Sequence, residues 1–182
     1  MTELAQQMNF ILAFATIGCQ IFVIGLTALL VCARFMRKNF RILDIFGTYG
    51  IHLIFLVSLT TVATSLFYSE ILGFEPCGLC WIQRIFLYPQ VIIAGMALYK
   101  KDRGIVDYVI GLSGTGALVA IYQHYLQMGG TSFLPCPAVS TGADCAQRFL
   151  FEFGYITFPL MSFTIFAVII VLAVAAKSRQ RI

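Results

Sequence analysis

Charged side chains are what this chain has least of. Only 11% of its 182 residues are Asp, Glu, Lys or Arg, while 60% are hydrophobic. A soluble domain carries about 25% charged residues, so a chain this poor in charge must turn much of its surface to lipid. The net charge of +4 is small. The basic face that would follow nucleic-acid phosphates is lacking, which excludes nucleic acid as a partner. Six cysteines are too few for a disulfide scaffold of this length. The first nine residues, MTELAQQMN, contain no Lys or Arg, so the basic n-region of a cleaved signal peptide is missing. No haem or flavin motif is present.

What the chain has in abundance is long apolar runs. The run from Phe10 to Ala33 is 24 residues without a charge, enough to cross a bilayer, and it reads as a retained first helix. Further spans are expected over about 45–68, 81–99, 105–126 and 155–176. Ten of the twelve Lys and Arg residues fall in three clusters: Arg34, Arg37, Lys38 and Arg41; Lys100, Lys101 and Arg103; Lys177, Arg179 and Arg181. Five spans with the N-terminus outside put all three clusters on the cytoplasmic side, as the positive-inside rule requires. The exceptions are Arg84 and Arg148. Pro89 should kink the third span. The small residues of G-L-S-G-T-G-A (111–117) should let the fourth approach a neighbour closely. Cys19 and Cys32 read as buried small hydrophobes, and His52 as a neutral histidine bonded to a neighbouring helix.

The chemistry concentrates in E-P-C-G-L-C-W-I-Q-R (75–84). Cys77 and Cys80 form a Cys-x-x-C pair where an apolar run begins. Free amides and the dipole of a helix N-terminus favour negative charge there, and Arg84, four residues beyond Cys80, adds a cation on the same face. A poised thiolate in a Cys-x-x-C pair is what thiol–disulfide exchange needs. The same spacing also serves half a zinc site or a structural disulfide. The topology puts Cys136 and Cys145, in the long loop 127–153, on the same outer side as Cys77 and Cys80. Disulfides persist in an oxidising compartment. Of the three possible connectivities, Cys77–Cys80 with Cys136–Cys145 is expected, the latter closing a small, exposed loop around Pro137 and Gly142. Two disulfides at one face suggest an electron relay, and a lipid-soluble quinone is the evident two-electron sink. Arg84 and His124, both near the outer end of their spans, are the candidates to bind its oxygens. Two other readings stand beside this one: a polytopic membrane protein whose outer disulfides only staple its loops, and a metal-binding transporter holding zinc on four thiolates.

With P-C-G-L-C-W-I-Q-R (76–84), Y-Q-H-Y-L-Q (122–127), P-C-P (135–137), D-C-A-Q-R (144–148) and F-G-Y-I-T-F-P (153–159) in this order, the chain resembles the DsbB family of bacterial membrane disulfide-bond formation proteins, BdbC-type members included. The resemblance covers roughly 45–176. It implies an all-α four-helix transmembrane bundle, a bound quinone (ubiquinone or menaquinone) and a DsbA-like thioredoxin-fold thiol oxidase as partner, at the extracytoplasmic face of the bacterial inner membrane. By this resemblance Cys136 takes the attack of the reduced partner and Cys145 is its pair. Cys77 receives electrons from the second loop, Cys80 lies next to the quinone, and Arg84 and His124 face it. Residues 1–44 would then be an extra transmembrane helix with a basic cytoplasmic loop, and residues 45–182 a four-helix quinone-reductase domain. The short interval between Cys136 and Cys145 resembles the BdbC-type form.

Overall fold

The computed structural model describes residues 3–36, 40–102, 104–132, 136 and 144–180. Among them are five long helices: α1 (Glu3–Met36), α2 (Arg41–Leu66), α3 (Gly78–Lys100), α4 (Val106–Gln127) and α5 (Phe158–Gln180). A single π-helical turn, Phe67–Ile71, extends α2. The all-α, five-helix expectation is therefore met among the described residues, with ends displaced by one to seven residues. Arg37, Lys38, Arg103 and Arg181 of the basic clusters lie outside the described residues, as does the side chain of Arg179.

Four of these helices are long and apolar enough to cross a membrane: α1, α2 with its π turn, α3 and α5. At 22 residues, α4 is about 33 Å long and has a more polar sequence than these four. Three of its polar side chains, Ser113, Gln123 and Gln127, are buried. A polar group in hydrocarbon must find a partner inside the protein. Ser113 donates to Gln90 Oε1 of α3 at 3.1 Å, and Gln90 donates back to its own helix at Phe86 O.

The bundle is built around α5, whose most apolar stretch is 50% buried against only 11% for α1. Phe166, Ile169, Leu172 and Ala176 of α5 meet Ile54 of α2, Ala94 of α3 and Val109 and Ala120 of α4 in one core. Small residues set the close approaches. A Cβ on Gly50 would lie 3.1 Å from Ala176 Cβ, and one on Gly116 would lie 2.4 Å from Phe166 Cζ. Of the 111–117 stretch, Gly116 carries the expected packing, whereas Gly111 and Gly114 have open space beside them.

Polar ties hold α1 at its first half. Tyr68 Oη donates to Asn9 Oδ1 (2.7 Å), and Gln20 joins Thr164 of α5 and the Tyr155 hydroxyl. Two expectations fail on and beside this helix. Cys32 is exposed, because the second half of α1 leans on little else. His52 of α2 also faces outward, with its ring 6.1 Å from Tyr49 of its own helix. At the opposite end from the cysteines, Lys177 of α5 pairs with Asp107 of α4. Lys177 is about one-third exposed and Asp107 about two-thirds, at 34% and 67%, so the pair is worth at most about 1 kcal/mol. Asp107→Asn is expected to lower the thermal midpoint in detergent by no more than about 4 °C.

Candidate redox site

The chain leaves the π turn through Gly73, whose φ of +70° suits a residue without a Cβ, and runs extended to Cys77. Cys77 is the N-cap of α3: its backbone is extended (ψ 170°) and its sulfur accepts the Cys80 N–H at 3.4 Å. The helix thus starts three residues earlier than hydropathy alone predicts, because the cap is a sulfur. The two sulfurs lie 2.9 Å apart, well beyond the roughly 2.05 Å of a disulfide. Cys77 and Cys80 are unbonded in this structure, with their sulfurs placed side by side as the expected pairing requires. Spacing fixes that two thiols can meet; their oxidation state depends on electron supply. The Cys77 thiol is pushed up from its ordinary range, first by its hydrogen bond with Cys80 and then by burial.

Two glutamines complete this site. Gln123 of α4, 1% exposed, donates from Nε2 to Cys77 Sγ at 3.0 Å and to Cys80 Sγ at 3.3 Å. Gln83 of α3 donates from its Nε2 to Gln123 Oε1 at 2.6 Å. Cys80 Sγ also approaches Gln123 Oε1 at 3.8 Å. Neither glutamine was singled out from sequence, although both stand in quoted motifs. The usable signal was a pair of uncharged amides in apolar helices, one of them three residues beyond Cys80, where a partner across the helix boundary is required.

Cys136 and Cys145 are joined in a disulfide with Cα atoms 6.0 Å apart. Its flanking residues Pro137 and Gly142 lie outside the described residues. The expectation of an exposed bond is corrected at Cys145, which is 1% exposed. The turn that carries it is tied down: Asp144 Oδ1 accepts the Ala146 N–H at 3.2 Å, and Gln127 Nε2 at the end of α4 donates to Gln147 O at 2.9 Å. Cys145 is thereby pressed into the apolar cluster that contains Cys77, Leu79 and Leu126, with Cys80 and Cys136 packed against it. All four loop cysteines share this cluster.

Arg84 and His124 have separate partners. The Arg84 guanidinium lies over the Trp81 ring, 5.2 Å from its centroid, and donates to Ser65 O at the end of α2 (3.2 Å). His124 Nδ1 is 2.8 Å from Thr157 Oγ1, just before α5. The 100° step between successive helical residues turns Gln123 to the sulfurs and His124 away from them.

A family model described as disulfide bond formation protein DsbB matches residues 48–176. The SPbeta prophage-derived disulfide bond formation protein B of Bacillus subtilis is 44% identical over 117 residues, which cover 64% of this chain and 78% of that protein. Disulfide bond formation protein C of the same organism is 35% identical over 68% of this chain and 89% of its own length. A probable disulfide formation protein of Chlamydia caviae is 36% identical over 81% of this chain and 98% of its own. No solved structure matches significantly.

Proposed function

Because the chain belongs to the DsbB family of disulfide bond formation proteins, we propose that this multi-pass membrane protein is a thiol oxidase that reoxidises an extracytoplasmic DsbA-like dithiol protein and delivers the electrons to a membrane quinone. The observation that carries the reading is the sharing of one apolar cluster by Cys77, Cys80, Cys136 and Cys145. In this reading a partner thiolate attacks Cys136, Cys145 leaves as a thiolate, and the partner's second thiol releases its own disulfide, so two electrons and two protons enter the loop pair. The loop dithiol then reduces a Cys77–Cys80 disulfide by the same exchange, and the dithiol so formed is the electron donor to the bilayer. A quinone bound there would supply the two-electron, two-proton sink. Residues suited to hold it are present: Arg84 lies one turn beyond Cys80, half-buried, with the Trp81 ring against it, and His124 has its ring held by Thr157. The described basic residues Arg34, Arg41, Lys100, Lys101 and Lys177 lie at helix ends away from the cysteines, which supports a cysteine face outside the cytoplasmic membrane.

The test is quinone reduction by the purified protein in detergent, given a soluble quinone analogue and a reduced thioredoxin-fold dithiol protein. Loss of quinone absorbance that requires both the dithiol protein and this chain is expected. Arg84→Gln is expected to raise the KM for the quinone about tenfold, as the loss of one charge-assisted hydrogen bond would, while the dithiol protein still forms its mixed disulfide with Cys136. No turnover with any dithiol protein, both cysteine pairs staying as they began, would leave the disulfide as a staple.

A further inference from the structure

The amide of Gln123 occupies an unusual position for a side chain in an apolar helix. Its Nε2 lies within hydrogen-bond reach of two sulfurs at once, 3.0 Å from Cys77 Sγ and 3.3 Å from Cys80 Sγ. A primary amide can be turned over, exchanging its nitrogen and oxygen, and Gln83 decides which way this one sits. Because Gln83 Nε2 donates to Gln123 Oε1 at 2.6 Å, the oxygen is fixed toward Gln83 and the donors toward the cysteines. Gln83 is 6% exposed and Gln123 1%, so water does not compete for these bonds.

Sulfur accepts hydrogen bonds weakly as a thiol and much better as a thiolate. In a disulfide each sulfur has spent its charge on the S–S bond, and the pair draws least from the same donors. A buried amide aimed at both sulfurs therefore stabilises the reduced pair over the oxidised one. We propose that Gln123, oriented by Gln83, is a positioning residue that sets the redox equilibrium of the Cys77–Cys80 pair by holding its dithiol form. The inference rests on the reading that this pair cycles. It makes the pair a better electron acceptor from the Cys136–Cys145 loop than the Cys-x-x-C sequence alone would be.

The equilibrium is read directly in glutathione buffers. One Cys77–Cys80 disulfide and two glutathione thiols give one dithiol and one oxidised glutathione, which balances two electrons and two protons. The full-length protein in detergent is equilibrated without quinone, quenched by alkylation, and the Cys77–Cys80 peptide is quantified by mass spectrometry. Gln123→Met keeps the volume and removes the donors; it is expected to shift the equilibrium about tenfold toward the disulfide, a reduction potential about 30 mV more negative. Gln83→Met is expected to shift it in the same direction by less, and to add nothing in the Gln123→Met background. A structural clamp between α3 and α4 would lower the thermal midpoint in all three variants and leave the equilibrium alone. An equilibrium in Gln123→Met within twofold of the unsubstituted protein, which itself exchanges normally, overturns the inference and spares the oxidase reading. A Cys77–Cys80 pair in the unsubstituted protein that stays dithiol at every glutathione ratio overturns the oxidase reading and the inference with it.

Discussion

Quinone reduction is expected to fall by about a thousandfold or more when Cys80 becomes serine, because cysteines that act in sequence fail as a unit. An oxygen at that position cannot close a disulfide with Cys77, so no oxidised form of the first pair exists to take electrons from the second. The variant should still bind and react at its loop pair. Cys77, now a lone thiol in the same apolar cluster as Cys145, can attack the Cys136–Cys145 disulfide. That exchange gives one Cys77–Cys145 disulfide and one free Cys136 thiol, with no net oxidation. Peptide mapping without reduction should find this cross-link accumulating in Cys80→Ser and absent when Cys77 is also serine. The thermal midpoint should move little, since Cys80 is only partly buried and the substitution keeps its size. Turnover that survives Cys80→Ser would break the relay at its inner step.

The second large effect concerns the core. Gly116→Val is expected to destabilise the protein by about 1–3 kcal/mol, the usual cost of overpacking a filled core. A Cβ at Gly116 would lie 2.4 Å from Cζ of Phe166 and 2.7 Å from both its Cε atoms. Phe166 is 1% exposed at the centre of the α5 core and has nowhere to swing. The contact therefore has to be relieved by moving α4 off α5, the most extensive helix pair in the bundle. Gly116 is seven residues before Gln123, two turns away on the same face, so the shift also draws the amide from the sulfurs. Melting in detergent and quinone turnover should fall together. Phe166→Leu should restore part of both in Gly116→Val, a coupling that separate sites would not show. Gly114→Ala, at a position with open space, should leave both unchanged.

The helices were legible because each is an apolar run of membrane length, and the Cys-x-x-C because its spacing is itself the signal. Helix ends were less so. Hydropathy places the start of α3 at Trp81, but the sulfur cap at Cys77 decides it. Lateral contacts were not legible at all: that Asn9 meets Tyr68 or that Gln20 meets Thr164 depends on which helices lie side by side. At the site, attention to ionisable groups favours His124 over its neighbour Gln123. Only the facing of α4 reveals that the neutral residue meets the sulfurs, while the histidine meets Thr157. The burial of Cys145 was hidden for a similar reason, since the turn that carries it is held by a bond between Gln127 and Gln147, 20 positions apart in the sequence.

The burial of that second disulfide against the first pair bears on kinetics. Two cysteine pairs joined by one chain and packed in one cluster meet at an effective molarity that no soluble thiol can match. Electron transfer between them would be first order, independent of how densely the protein populates its membrane. Small thiols outside would then be poor competitors for Cys145. The step that saturates with concentration would fall where the dithiol protein arrives or where the bilayer accepts the electrons.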